Sequence, residues 1–175
     1  MAVDPDLGGD RLQRLWTPWR QAYVRNPDAV APGCPFCRLP ATGAEHDDES
    51  LIVHRAAATY VVLNAFPYNP GHLLVVPFRH TDDYGTLTPE ELHEMAQLSQ
   101  RAVRILRETS GAQAFNLGLN LGGTAGAGIA DHVHQHVVPR WGGDTNFMPV
   151  VGQTRVLPEL LAETYARIAP AFRRD

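Results

Sequence analysis

Apolar and polar positions change their period several times along the chain, and each change marks an element. The runs Thr-Tyr-Val-Val-Leu-Asn (59–64) and His-Leu-Leu-Val-Val-Pro-Phe (72–78) are rich in β-formers. The connection between them, 65–71, carries two prolines and a glycine. The two runs are therefore expected to pair as antiparallel strands. Next the period lengthens. Leu92, Met95, Ala96, Ser99, Ala102, Val103 and Leu106 follow helical spacing. They stand behind Thr88-Pro89-Glu90-Glu91, a capping box with proline at the first helical position. Gly111 is a natural stop. The spacing predicts a helix over about 89–109 that packs on the sheet, with His93 off the apolar stripe and on the surface.

Beyond the helix, 113–121 reads as a third strand, 122–128 as a glycine-rich turn and 132–139 as a fourth strand. A C-terminal helix is expected over 156–169, with Leu157, Leu160, Leu161, Tyr165 and Ile168 on one face. Strands before and after one long helix define an α+β class: an antiparallel sheet with that helix packed on it, plus the C-terminal helix. Residues 1–10, rich in Asp, Gly and Pro, read as a disordered tail, and 11–175 as a single domain. Trp16, Trp19 and Tyr23 suit packing onto the domain or onto a partner subunit. Residues 39–50 read as an exposed loop.

Composition narrows the function. The chain of 175 residues is 44% hydrophobic and 19% charged, enough for a buried core and unlike a disordered segment. A formal net charge of −4 argues against nonspecific binding to nucleic acid or anionic membrane. No apolar run is long enough to cross a bilayer, and the first residues lack a basic and then apolar leader, so a cytoplasmic protein is expected.

Two features carry chemistry. The first is Cys34-Pro35-Phe36-Cys37, which holds both cysteines of the chain. Such a pair is a redox couple, half of a metal site, or chance. Pro32-Gly33 before it and Pro40 after it suggest a tight knuckle, which suits a metal better than a redox pair. Two further ligands would then have to come from elsewhere.

The second feature is Asp131-His-Val-His-Gln-His-Val-Val-Pro-Arg140. On a strand, side chains alternate, so His132, His134 and His136 would share one face. Three imidazoles in a row are a poor fit to an ordinary core. They suit either a metal cluster or a nucleophilic imidazole positioned by its neighbours. Alternate residues of one strand lie about 6.5–7 Å apart, which lets two side chains converge on an ion more easily than three. A neutral imidazole attacks phosphorus well when its other nitrogen is held in the right tautomer. A glycine-rich turn on one side and Arg140 on the other suit an anionic phosphate substrate.

His-Val-His-Gln-His-Val-Val resembles the signature of the histidine-triad (HIT) superfamily of nucleotidyl hydrolases and transferases. Asn69-Pro-Gly-His-Leu-Leu-Val-Val-Pro-Phe-Arg-His80 resembles that family's second element, and the likeness runs from about Arg14 to Arg140. The resemblance implies a HIT-like fold and a set of roles. His134 would be the nucleophile toward an α-phosphorus. His136 would hydrogen-bond to the phosphate or the leaving group. His132 would be the buried first member, and His72 would support the three. Asn64, eight residues before His72, would hold a ribose. Asn120 and the backbone of the turn, including Gly126 and Gly128, would cradle phosphates. The resemblance also implies a structural zinc on Cys34, Cys37, His80 and His132, a closed tetrahedral set.

The chain departs from the family's simple hydrolases. Gln135 replaces a hydrophobic residue between the second and third histidines, and Gly128-Ile129 stand where Gln and Ser or Thr usually bind phosphate. These departures are similar to a branch that includes actinobacterial diadenosine tetraphosphate phosphorylases. That likeness implies a dinucleoside polyphosphate and inorganic phosphate as substrates, with ATP and ADP as products. Gln135 would then act near the nucleotide or at a subunit contact, and Asp131 would orient a ring or cap the turn. A hydrolase of dinucleoside polyphosphates or nucleoside phosphoramidates, and a zinc-stabilised nucleotide-binding protein with little turnover, are the alternatives. The family also implies at least a homodimer, and the tryptophans near the N-terminus suggest a larger assembly, a homotetramer.

Overall fold

The computed structural model describes residues 33–144 and 159–174. Helix α1 (Pro35–Ala41) is followed by strands β1 (Ile52–Arg55), β2 (Thr59–Leu63) and β3 (Leu73–Pro77), then by the long helix α2 (Pro89–Ser110). Strands β4 (Ala114–Leu119) and β5 (Gln135–Arg140) and helix α3 (Leu161–Arg174) complete the order. The strands form one antiparallel sheet in the order β1-β2-β3-β5-β4. This is the expected α+β architecture. The expected tail, Trp16, Trp19, Tyr23 and Leu157 lie outside the described residues.

β2 and β3 are buried at every position because both faces of the sheet centre are covered. On one face Val61, Leu63, Leu73, Val75 and Val137 pack with Met95, Leu98, Ala102, Ile105 and Leu106 of α2 and with Ile168 and Phe172 of α3. On the other, Tyr60, Val62, Leu74 and Val76 pack around Phe36 of α1 and Ile52 of β1. β4 lies at the sheet edge and is largely open, with Leu117 exposed.

The α2 capping box forms as expected. The Thr88 hydroxyl accepts from the Glu91 N–H, and the Glu91 carboxylate accepts from the Thr88 N–H at 2.8 Å. Gly111 ends the helix in the left-handed region at φ 61°. His93 is exposed, as expected. The apolar stripe is rotated from its expected line: Leu98 and Ile105 are buried, while Leu92 and Ala96 face solvent. Glu94 holds the β1–β2 turn onto α2, accepting from the Ala57 and Ala58 N–H groups and the Thr59 hydroxyl at 2.7–3.1 Å.

Four expectations need correction. β1 was not anticipated, because Leu51-Ile52-Val53 is a short run behind a polar loop. Residues 39–50 are not all open loop: α1 extends to Ala41, Ser50 is buried, and Arg55 gathers the segment through Asp47 and the carbonyls of Pro40 and Gly43. α3 starts later than expected and runs on to Arg174, with Pro170 inside it on the exposed side. Leu160 is 70% exposed, and the inward face is Thr164, Ile168, Ala169, Ala171 and Phe172. Finally, β5 begins at Gln135 and not at His132.

Candidate active site and metal centre

The late start of β5 has a local cause. Ahead of the strand, the Val133 N–H donates to the Thr81 carbonyl at 2.7 Å, and the His132 ring bonds to the Pro77 carbonyl at 2.9 Å. The chain is thus tied to the end of β3 before it joins the sheet. His132, Val133 and His134 are all buried, Val133 in the core on the α2 side and the two histidines against Phe36 on the other. The three histidines still share one side, as expected, although only His136 lies within β5: His132 and His134 pack on Phe36, His136 pairs with Leu74, and His134 and His136 have ring centroids 5.1 Å apart.

A carbonyl can only accept, which fixes two tautomers. His134 Nδ1 lies 2.8 Å from the His132 carbonyl oxygen, so Nδ1 carries the hydrogen and Nε2 holds the lone pair. Burial, acting against that hydrogen bond, pushes the His134 pKa below the ordinary histidine value and favours the neutral ring. His132 is the reverse. Its Nε2–H donates to Pro77, which leaves Nδ1 as the lone-pair nitrogen. Burial likewise lowers its pKa, outweighing the bond to Pro77.

His72 and His136 form a second linked pair. The Tyr68 backbone N–H donates to His72 Nδ1 at 3.1 Å, so His72 Nε2 carries a hydrogen. That nitrogen lies 2.9 Å from His136 Nδ1, which must accept. The neutral His136 ring therefore bears its hydrogen on Nε2. The Tyr68 ring stacks on His136 at 5.7 Å with the planes 14° apart. Asn64, just past β2, bonds through Nδ2 to His72 Nδ1 and accepts the Phe66 N–H at 2.9 Å on Oδ1.

The other residues expected at the site are less closely joined to it. Asn120 follows β4 by one residue. The β4–β5 register pairs Gly118 with His136 and Leu119 with Gln135, and continued by one step it brings Asn120 level with His134. Gly126 has φ 86° and closes a short 3-10 turn, Gly123–Ala125; Gly128 is exposed beyond it. Gln135 pairs with Val75, on the face that packs against α2, and so turns away from His136, whose partner is Leu74. Asp131 is exposed. Arg140 does not reach toward the histidines: its guanidinium forks onto Asp144 at 2.5 and 2.8 Å and donates to Asn116 Oδ1.

Cys34, Cys37, His80 and His132 converge, their ligand atoms all within 4.8 Å of one another. Cys34 Sγ and His132 Nδ1 are 3.3 Å apart, as are Cys37 Sγ and His80 Nδ1, and the two Nδ1 atoms. Cys37 Sγ and His132 Nδ1 are 3.6 Å apart. A tetrahedron with Zn–N near 2.05 Å and Zn–S near 2.3 Å has edges of roughly 3.3–3.8 Å. The set fits such an ion in both dimensions and chemistry, and His132 offers its lone-pair nitrogen inward. Without a cation, burial and the adjacent Cys34 push the Cys37 thiol up; a bound divalent ion would reverse that. The knuckle expected at the cysteines is in fact the start of a helix, with Cys34 as its N-cap. Metal-binding geometry thus comes from α1 meeting the ends of β3 and β5, not from a local turn.

Two residues at the site carry no sequence signal of their own. Phe36, between the cysteines, packs its ring on both His132 and His134. Tyr68 orders His72 and His136 from a loop that reads only as turn-rich. Each lies within four residues of a histidine or cysteine motif, which is the one hint the sequence holds.

The comparisons with known proteins follow from these residues. The HIT domain model matches residues 45–143. AP-4-A phosphorylase of Mycobacterium tuberculosis is 44% identical over 173 residues, covering 95% of this chain and 87% of that protein. The asymmetrical bis(5'-nucleosyl)-tetraphosphatase of Schizosaccharomyces pombe is 32% identical over 91 residues, covering 52% of this chain and 50% of that one. Among solved structures, a Zn-bound histidine triad family protein from Mycobacterium smegmatis superimposes with a TM-score of 0.65 at 29% identity, covering 81% of this chain and 94% of its own. With a matched domain that includes the triad and the His72 element, the chain belongs to the HIT family.

Proposed function

We propose that this protein phosphorolyses diadenosine 5',5'''-P1,P4-tetraphosphate, producing ATP and ADP. His134 Nε2 attacks the α-phosphorus, a P–N bond forms, and the bridging P–O bond breaks to release ATP. An oxygen of inorganic phosphate then attacks the adenylyl-histidine, the P–N bond breaks, and ADP leaves. The observation that carries this reading is the His134 tautomer, with Nε2 unprotonated because Nδ1–H is engaged by the His132 carbonyl at 2.8 Å. The identity to the mycobacterial phosphorylase along nearly the whole chain supports the choice of substrate.

As positive charge builds on the attacking ring, the His132 carbonyl accepts a strengthening hydrogen bond. The His136 Nε2–H faces the phosphate or the leaving oxygen, its tautomer held by His72. Asn64 Oδ1 keeps a second lone pair for a ribose hydroxyl, and Asn120 with the Gly126 and Gly128 amides lies along the phosphates. Zinc on Cys34, Cys37, His80 and His132 would supply a structural cross-link beside the nucleophile. The Zn-bound M. smegmatis neighbour supports that ion.

A cytoplasmic setting is part of the proposal. No helix among the described residues is long and apolar enough to cross a membrane. A homodimer or homotetramer is favoured by the open β4 edge, where Leu117 keeps 48% of its surface. A hydrolase of the same substrate is the second reading, favoured by the likeness to the S. pombe tetraphosphatase.

The mechanism is tested by mixing enzyme with adenine-labelled substrate without phosphate and quenching in base. Label should stay on the wild-type chain and be absent from His134→Asn. Equal labelling of the two would remove His134 as the nucleophile.

A further inference from the structure

Phe36 occupies a position that phosphate chemistry alone does not require. It is an apolar residue between two cysteines, buried to 4% exposure on the site side of the sheet. Its backbone carbonyl accepts the Tyr60 hydroxyl at 2.7 Å, which fixes α1 against β2. Its ring lies 4.9 Å from the His134 ring and 5.7 Å from the His132 ring. His136 faces His134 from 5.1 Å. The nucleophile is therefore hydrogen-bonded at one nitrogen and walled by two rings, one of which belongs to the segment that carries two ligands of the metal cluster.

One hydrogen bond sets the tautomer of His134 but leaves the ring free to swing about that contact. Rings packed against it, Phe36 tilted by 44° and His136 edge-on at 66°, restrict that swing. Attack on phosphorus is in line with the departing oxygen, so the direction of Nε2 matters as much as its lone pair. Ile129, just past the glycine-rich turn, packs against the same buried cluster that holds Phe36.

We infer that Phe36 is a positioning residue for the nucleophile, passing the geometry of the Cys34–Cys37 segment to the His134 ring. The inference rests on His134 acting as the nucleophile. Phe36 touches no reacting atom, and its effect runs through the imidazole it holds.

The experiment compares the wild-type chain with Phe36→Leu, and with Phe36→Met should the first fail to fold; both keep an apolar side chain but lose the ring. Three quantities are read: kcat and KM for diadenosine tetraphosphate with phosphate, zinc bound per chain, and the His134 ring by ¹⁵N–¹H NMR. In wild type the ring signals should report the Nδ1–H tautomer. In the variant, kcat should fall on the order of 10–100-fold with KM within about twofold. Zinc content should be unchanged, and the His134 signals should broaden or report mixed tautomers. A folded variant with wild-type kcat and ring signals would overturn the inference. So would a rise in KM at unchanged kcat, which would make Phe36 a substrate wall, or loss of zinc alongside activity, which would make it part of the metal site. Wild-type enzyme inert on the substrate would sink the proposed function, while the NMR comparison would still test Phe36.

Discussion

His134 Nδ1 and the carbonyl oxygen of His132 are 2.8 Å apart, and this contact decides which nitrogen of the middle histidine is available. It is made within three consecutive residues, so it forms wherever the lead-in to β5 folds. Substituting His134 by Asn keeps a polar side chain near that carbonyl and removes the proposed nucleophile. Turnover should fall by roughly 10³-fold or more, with the melting temperature changed by only a few degrees. Steady-state kinetics beside a thermal melt checks both. A variant retaining a tenth of the activity would contradict the assignment.

Metal removal should act on the fold first. α1 is tied to the sheet by the cluster of Cys34, Cys37, His80 and His132, by Phe36 and by the Arg55 contacts. Losing the first of these should lower Tm by about 5–10 °C, from a cost of a few kcal/mol in a chain this long. Calorimetry with and without a chelator measures it, and Cys34→Ser should reproduce the chelated curve. An unchanged Tm in chelator would show that the four side chains meet without needing an ion.

Gly71 should tolerate no side chain. Its φ is 81°, and a Cβ there would lie 3.0 Å from Leu106 Cδ2 and 3.6 Å from Ile168 Cδ1. Gly71→Ala is expected to cost about 1–3 kcal/mol from backbone strain alone. Because His72 is the next residue, kcat should fall with stability. Urea unfolding and kinetics on the same preparation test the pair of effects; loss of stability without loss of kcat would show that His72 is set independently of the turn.

Acid should weaken the Arg79–Glu91 link. The Arg79 guanidinium, 2.7 Å from the Glu91 carboxylate, holds that carboxyl below the usual range, with burial opposing and the Thr88 N–H assisting. A folded-state pKa below the unfolded one means the stabilisation is full above the unfolded value, near pH 4.3, and is lost as pH falls through the lowered one. Arg79→Met should therefore flatten the decline of stability in acid. Urea midpoints from pH 6 to pH 3 measure this, and parallel curves for the two proteins would refute the link.

How much of this was legible in the sequence depends on whether a signal is local. The α2 capping box lies within four residues, and the helix follows it. The cysteine and histidine ligands match a family pattern in the sequence, and in the fold they converge. β5 was drawn too long because alternation of His132, His134 and His136 suggested strand, whereas hydrogen bonds to Pro77 and Thr81 pull the first residues out of the sheet. The C-terminal helix differs at both ends: it starts at Leu161 and runs past Pro170, which lies within it on the solvent side, to Arg174. Arg140 beside the triad suits a phosphate in sequence, whereas in the fold Asp144 holds its guanidinium. Phe36 and Tyr68 had no pattern to betray them, since their importance lies in contacts across the fold.

Product analysis with diadenosine tetraphosphate, with and without inorganic phosphate, tests the central claim most directly. ATP and ADP in equal amounts, formed only when phosphate is present, is the expected result. ATP and AMP formed at the same rate without phosphate would contradict it and make the protein a hydrolase.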